Sequence, residues 1–329
     1  MPPQDGHERR KFRHDMKPDI LALGDFPPGM MAALAARFTL HHFIPYPLPA
    51  GSLEPATAAR IRAIATEANR GATRDLIAML PKLEIIACFG VGTDGIDLAA
   101  ARERGIAVTN TPGVIADDVA DLAIGLMLAS ARQIPAADRY VRDGKWARGP
   151  IALAHKVTGK RMGVLGLGAI GRAIADRGAA FKMTVRYSGP RRKADAPYDY
   201  IADPVALARD SDFLMIACKG GPDTRHLVSG PVIEALGPTG TLVNGARGSV
   251  VDEGALIGAL RAGRLGFAAL DVFETEPHVA PALLALPNVI VQPHHGSATI
   301  ETREAVGRLV IDNIVAQLEG RPLPTPVGA

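Results

Sequence analysis

With 329 residues the chain is too long for one ordinary core and suits two domains. Its 47% hydrophobic and 22% charged residues are the mix of a globular protein in water, and a formal net charge of +3 gives no surface suited to nucleic acid. No apolar run reaches membrane-spanning length and no secretory core follows the start, so a cytoplasmic protein is expected. The polar stretch 1–16, with its basic run Arg9-Arg10-Lys11-Phe12-Arg13, reads as a flexible tail.

From Asp19 onward short apolar or β-branched runs alternate with helical patterns. Residues 20–23, 61–66, 83–88 and 107–110 read as strands. Residues 29–36, 73–80 and 97–104 read as helices, with Thr73 as an N-cap and Gly105 as a terminator. Residues 116–132 form a long apolar helix whose first turns carry Asp117, Asp118 and Asp121, which suits the positive end of the helix dipole. A polar segment, 138–155, holds the single tryptophan, Trp146. A second series of strands follows at 162–165, 183–187, 212–217, 241–244, 266–269 and 289–292, and a last helix runs over 300–318. Such alternation implies parallel strands joined by right-handed crossovers, an α/β fold with two doubly wound sheets. The last helix is surplus to the second series and is expected to return to the first. The expected domains are therefore 17–115 with 300–329, and 116–299. Cys88 and Cys218 each sit in an apolar run and read as reduced core residues; no metal site is expected.

Gly166-Leu167-Gly168-Ala169-Ile170-Gly171 has the G-x-G-x-x-G spacing, follows a strand and opens a helix. Gly166 suits the tight turn, Gly168 leaves room for a pyrophosphate, and Gly171 allows close packing of helix on strand. The N–H groups at the helix start then hold the anion. Ser188 stands at the end of the next strand, just past 187, where an NAD enzyme carries an acid for the ribose 2′-hydroxyl. Here the loop reads Ser188-Gly189-Pro190-Arg191-Arg192-Lys193. A hydroxyl and guanidinium groups would bind a 2′-phosphate that a carboxylate would repel. NADP(H) is therefore the expected cofactor, with NAD(H) as the alternative.

Three further segments start at strand ends: Asn244-Gly245-Ala246-Arg247-Gly248, Leu270-Asp271-Val272-Phe273-Glu274-Thr275-Glu276-Pro277 and Pro293-His294-His295-Gly296-Ser297. In a doubly wound sheet this is the edge where ligands bind. An arginine to grip a carboxylate, a histidine to protonate a carbonyl oxygen, and an acid to keep that histidine oriented and protonated are the groups that reduction of a 2-oxo acid requires.

These segments, with Phe89-Gly90-Val91-Gly92-Thr93-Asp94-Gly95-Ile96-Asp97 upstream, resemble the D-2-hydroxyacid dehydrogenase family. The stretch 117–125 and the arginine-rich loop are similar to its glyoxylate/hydroxypyruvate and hydroxyphenylpyruvate reductase branch. The resemblance covers residues from about Leu83 to the end and, more loosely, from Lys17. It implies a Rossmann-type nucleotide domain, a flavodoxin-like substrate domain, and an active site in the cleft between them. It further implies that Arg247 binds the substrate carboxylate, that His294 is the proton donor, and that Glu276 is its partner, with Glu274 as the alternative. Asp271 and the backbone at Gly245 would meet the nicotinamide, and the backbone N–H groups of Val91 and Gly92 the substrate carboxylate.

A homodimer is implied as well, in which Trp146 reaches the partner's active site unless it is a plain core or interface residue. The activity implied is NADPH-dependent reduction of glyoxylate or hydroxypyruvate to the D-2-hydroxy acid. The alternatives are hydroxyphenylpyruvate as substrate, or a nucleotide-sensing protein like the co-repressors of this fold. One departure is visible: Lys219-Gly220-Gly221 stands where many relatives carry a Pro-Leu-Thr type loop. His295 is read as a packing or substrate-contact residue, and His41-His42 as structural.

Overall fold

A computed structural model of the chain describes residues 17–44, 48 and 51–328. The expected tail over residues 1–16 lies outside the described residues. Contacts divide the chain into two units. One takes the chain up to Phe89, Gly95–Asn110 and the stretch from Gly307; the other takes Gly90–Asp94 and Thr111–Val306. The sequence reading set the joins at 115/116 and 299/300.

The first unit begins with β1 (Asp19–Leu23), α1 (Pro28–Arg37), β2 (Thr39–Phe43), α2 (Pro55–Ala58) and β3 (Ile61–Glu67). It continues with α3 (Arg74–Met79), β4 (Ile85–Phe89), α4 (Leu98–Glu103) and β5 (Ala107–Thr109). All pairings are parallel, in the order β2-β1-β3-β4-β5, the flavodoxin-like arrangement. β1 and β4 are buried at every position, because parallel strands are covered on both faces. The Thr73 cap falls where the sequence puts it, with Oγ1 accepting from Leu76 N at 3.3 Å; Asp97, read as the start of a helix, is its cap, with Oδ1 accepting from Ala100 N at 2.8 Å.

β2 was not legible in the sequence. It is an edge strand whose two histidines bond sideways, His41 Nε2 to Asp19 Oδ1 at 2.8 Å and His42 Nε2 to Gly24 O at 2.7 Å. Both histidines are structural, as read from the sequence.

The second unit contains α5 (Ala116–Ala131), α6 (Ile134–Arg142), a 3-10 turn at Trp146–Arg148, β6 (Arg161–Leu165), α7 (Ala169–Ala180), β7 (Thr184–Ser188) and β8 (Asp199–Tyr200). Then come α8 (Pro204–Arg209), β9 (Phe213–Ile216), α9 (Gly230–Leu236), β10 (Thr241–Asn244) and α10 (Glu253–Arg261). β11 (Phe267–Leu270), α11 (Pro281–Leu284), β12 (Val289–Val291) and α12 (Ile300–Leu318) complete the chain. The sheet is parallel throughout, in the order β12-β11-β10-β9-β6-β7-β8.

Alternate strand residues feed two cores. Leu214, Ile216, Leu242 and Leu270 pack with α8, α9 and α10, while Met215, Val243 and Val164 pack with α5 and α7. The chain leaves β6 toward β7 and later returns to β9 on β6's other side, so the switch point of this sheet lies between β6 and β9. From Gly307 α12 belongs to the first unit; a Cβ at Gly307 would lie 3.1 Å from Met30 Cβ, so helix and α1 touch closely.

Among the described residues no helix is long and apolar enough to cross a membrane. α6 was not anticipated, because the sequence there reads as polar; it buries no residue, and Ile134, Val141, Trp146 and Leu153 are all exposed around it.

Candidate active site

The switch point of the second sheet carries the glycine turn. Gly166 has φ +98, and a Cβ there would lie 2.6 Å from Cys218 Cα, so only glycine lets the ends of β6 and β9 come so close. A Cβ at Gly171 would lie 1.9 Å from Gly166 O, whereas one at Gly168 meets nothing within 4 Å. The three glycines therefore divide their roles as the motif requires: turn, open approach and tight packing. Leu167 is buried, Gly168 and Ala169 are exposed, and Ile170 is half-buried. Their N–H groups open α7, a 12-residue helix, with Arg172 N already bonded to Gly168 O at 2.9 Å. Burial pushes the neighbouring Cys218 thiol up to about 11, which keeps it protonated and inert beside this turn.

The loop after β7 is pinned from beneath. Tyr187 Oη accepts from Lys193 N at 2.6 Å, Tyr200 Oη donates to Gly189 O at 2.8 Å, and the two rings pack at 5.3 Å. Arg191 and Arg192 are exposed with Pro190, and the next acid along the chain, Asp195, is held by Arg172 at 2.8 Å. Ser188 departs from its expected role. It is 1% exposed and its hydroxyl donates to Ala202 O at 3.1 Å, because the last residue of β7 points into the sheet. What remains of the expectation at this position is a missing carboxylate and the two exposed guanidinium groups of Arg191 and Arg192.

The chemistry-bearing loops follow β10, β11 and β12. Asn244, 1% exposed, ties the first: its Oδ1 accepts from Ala246 N at 3.1 Å and its Nδ2 donates to Arg247 O at 3.0 Å. Gly245 is half-buried between them. This turn projects Arg247, whose Nε donates to Asp94 Oδ2 at 2.9 Å and whose Nη1 donates to Ala246 O at 2.7 Å. A Cβ at Gly92 would lie 2.1 Å from Arg247 Nη2, so the strip 91–92 and the arginine are brought together. Val91 is exposed at its side chain.

His294 Nδ1 donates to Glu276 Oε2 at 2.7 Å, and Glu276 Oε1 accepts from Phe273 N at 3.1 Å. An ionised carboxylate can only accept, so the hydrogen sits on Nδ1 and Nε2 is left for chemistry. Burial pushes the Glu276 carboxyl up, but the contact with His294, the Phe273 N–H and the charge of Arg247 together hold it below the usual carboxylate value. Glu274 is excluded as the partner, since its Oε1 is taken by His226 at 2.8 Å and Arg225 at 2.9 Å.

Asp271 is 1% exposed, and its two carboxylate oxygens accept from His295 N at 2.6 Å and Gly296 N at 2.8 Å. Its backbone O accepts from His294 N at 2.8 Å. Those bonds hold His294 at φ +53, a left-handed conformation that a side chain adopts only when its surroundings impose it. Asp271 thus sets the turn that aims the histidine. His295 is exposed at its side chain, which is not a packing role. Trp146 is 69% exposed and is not a core residue.

The sequence model of the D-isomer specific 2-hydroxyacid dehydrogenases, NAD binding domain, matches residues 124–296. The chain belongs to this family. A nicotinamide dinucleotide is its cofactor, and the open Gly168 at the start of α7 fits one. This dehydrogenase is 49% identical to the hydroxyphenylpyruvate reductase of Plectranthus scutellarioides over 81% of its length and 85% of the relative's. It is 51% identical to glyoxylate/hydroxypyruvate reductase A of Arabidopsis thaliana, with the same coverage of each.

Among solved structures, the 2-hydroxyacid dehydrogenase of Ketogulonicigenium vulgare Y25 superposes with a TM-score of 0.89 at 51% identity, covering 95% of this chain and 98% of that one. The NADPH-dependent glyoxylate/hydroxypyruvate reductase of Sinorhizobium meliloti, solved with NADP and malonate, gives 0.88 at 38% identity, covering 95% and 97%.

Residues that the sequence left without a role now have one. Asp94 lies in the stretch 89–97 but its partner Arg247 is distant in sequence, while Asn244, Tyr187 and Tyr200 act through the backbone of the loops they hold.

Proposed function

We propose that this dehydrogenase reduces a small 2-oxo acid, glyoxylate or hydroxypyruvate, to the D-2-hydroxy acid with NADPH. The observation that carries the reading is the His294–Glu276 pair at 2.7 Å, on loops beside the Arg247 loop at one sheet edge. The dinucleotide, when bound, supplies the hydride. Gly166, Leu167, Gly168, Ala169, Ile170 and Gly171 hold its pyrophosphate, and the Gly189-Pro190-Arg191-Arg192 loop holds the 2′-phosphate by charge-assisted hydrogen bonds. The backbone at Gly245 borders the nicotinamide.

Arg247 grips the substrate carboxylate and polarises the carbonyl, with the strip Val91-Gly92 against the same carboxylate. His294 delivers a proton from Nε2 to the carbonyl oxygen as hydride reaches the carbon, and Glu276 keeps the ring aimed. The stretch 17–115 with the C-terminal residues is assigned as the substrate domain and 116–299 as the nucleotide domain. The exposed apolar side chains of and around α6, with Trp146, suit a homodimer interface. The setting is the cytoplasm, where the thiols of Cys88 and Cys218, which form no disulfide, stay reduced.

An aromatic oxo acid is the second reading, favoured by the 49% identity to a hydroxyphenylpyruvate reductase. Following NADPH and NADH absorbance with glyoxylate, hydroxypyruvate and hydroxyphenylpyruvate separates the two. Fast NADPH oxidation with the small acids supports the proposal, and faster turnover of the aromatic acid supports the second reading. Tight nucleotide binding without turnover of any of the three would contradict both.

A further inference from the structure

Arg247 is confined on more sides than its role in gripping a carboxylate requires. Its stem passes over Gly220, where a Cβ would lie 2.8 Å from Arg247 Cγ. Its head passes over Gly92, where a Cβ would lie 2.1 Å from Nη2 and 2.9 Å from Asp94 Oδ2. At the end of this slot Asp94 accepts from Nε at 2.9 Å, and Ala246 O accepts from Nη1. A guanidinium carries its donors in a rigid planar fork, so fixing Nε and one N–H of Nη1 fixes the direction of the rest. The second N–H of Nη1 and those of Nη2 then lie along the edge that takes a carboxylate two-pronged.

The two glycines are the slot's walls. Gly220 belongs to the Lys219-Gly220-Gly221 stretch, and a side chain there would press on the Arg247 stem. The pair is partly exposed, 31% at Arg247 and 45% at Asp94, so its attraction alone is weak and its value lies in direction.

We propose that Asp94 is a positioning residue, fixing the guanidinium of Arg247 in the slot between Gly92 and Gly220 so that its outer edge faces the oxo-acid carboxylate. The proposal rests on the reductase reading above. The competing role would be a competitor that occupies Arg247 until substrate displaces it. The two predict opposite changes when the acceptor is removed.

The test compares wild type, Asp94→Asn, Asp94→Ala and Gly220→Ala in NADPH oxidation with glyoxylate. Alongside it, calorimetry with NADPH present measures binding of oxamate, a carboxylate that needs no turnover. Asp94→Asn keeps an oxygen that can accept from Nε, so kcat/KM should stay within about threefold of wild type. Asp94→Ala should lose roughly ten- to a hundredfold in kcat/KM, the scale of a small misplacement in a site, with weaker oxamate binding. Gly220→Ala should weaken both in the same direction although Asp94 is intact. NADPH affinity and melting temperature should stay unchanged in the Asp94 variants.

Wild-type kinetics in Asp94→Ala would overturn the proposal. So would a lower KM and tighter oxamate binding in that variant, which is the mark of a competitor, or an equal loss in Asp94→Asn and Asp94→Ala, which would tie the effect to charge. If wild type turns over no oxo acid, the reductase reading fails instead, and the oxamate series still decides the role of Asp94.

Discussion

At the scale of single residues, the assignments rest on which acid each cation or histidine holds. Glu276 faces His294 at 2.7 Å while Glu274 is bound by Arg225 and His226, so the two acids of one short segment are not interchangeable. Replacing Glu276 by Gln should lower kcat by roughly a hundredfold or more, because the negative charge that stabilises the protonated ring is lost and the amide NH2 can turn to Nδ1 and select the wrong tautomer. Glu274→Gln should leave kcat within about twofold, a surface-type change by comparison.

The depressed Glu276 carboxyl also makes a pH prediction. Its folded value lies below the usual 4.5, so its contribution to stability is complete above that value and disappears as pH falls through the folded one. Acid titration of the melting temperature should therefore show a shallower fall below pH 4.5 in Glu276→Gln than in wild type. An identical slope in the two would count against the pairing. For the cofactor, the double change Arg191→Ala with Arg192→Ala should raise KM for NADPH by roughly ten- to a hundredfold, since charge-assisted hydrogen bonds contribute about 1.5–3 kcal/mol each. KM for NADH should barely move.

At the scale of elements, Gly168 and Gly171 separate binding from folding. A methyl at Gly171 meets Gly166 O at 1.9 Å, so Gly171→Ala should lower stability by about 1–3 kcal/mol in thermal or urea unfolding. A methyl at Gly168 meets nothing of the protein within 4 Å. Gly168→Ala should therefore melt like wild type and yet bind NADPH more weakly, because the methyl stands where the pyrophosphate approaches.

Elements of this kind were legible because their cause is local. β4 and β9 are unbroken apolar runs, and Thr73 and Asp97 cap helices three residues away. β2 escaped because it is an edge strand with polar side chains, and α6 because it buries nothing against its own chain. Direction escaped as well. Nothing in the sequence says that Ser188 and Asp271 turn inward at the ends of β7 and β11, and the partner of Arg247 lies 153 residues away. A resemblance supplies residue identities; the hydrogen bonds supply orientation.

At the scale of the whole molecule, the chain is two parallel α/β units, of which the second carries the glycine turn, the arginine loop and the His–Glu pair. The apolar side chains left exposed at Ile134, Val141, Trp146 and Leu153 argue for assembly, and sedimentation should give twice the chain mass. Leu153→Asp should shift it toward the monomer.

Within that second unit, proton transfer and cofactor binding are assigned to separate residues. The most direct measurement is turnover and NADPH affinity in His294→Ala. Turnover should vanish, because the variant lacks the Nε2 assigned to protonate the carbonyl oxygen, while NADPH binds as in wild type. Retained turnover, or a loss of NADPH affinity as large as the loss of rate, would contradict that assignment.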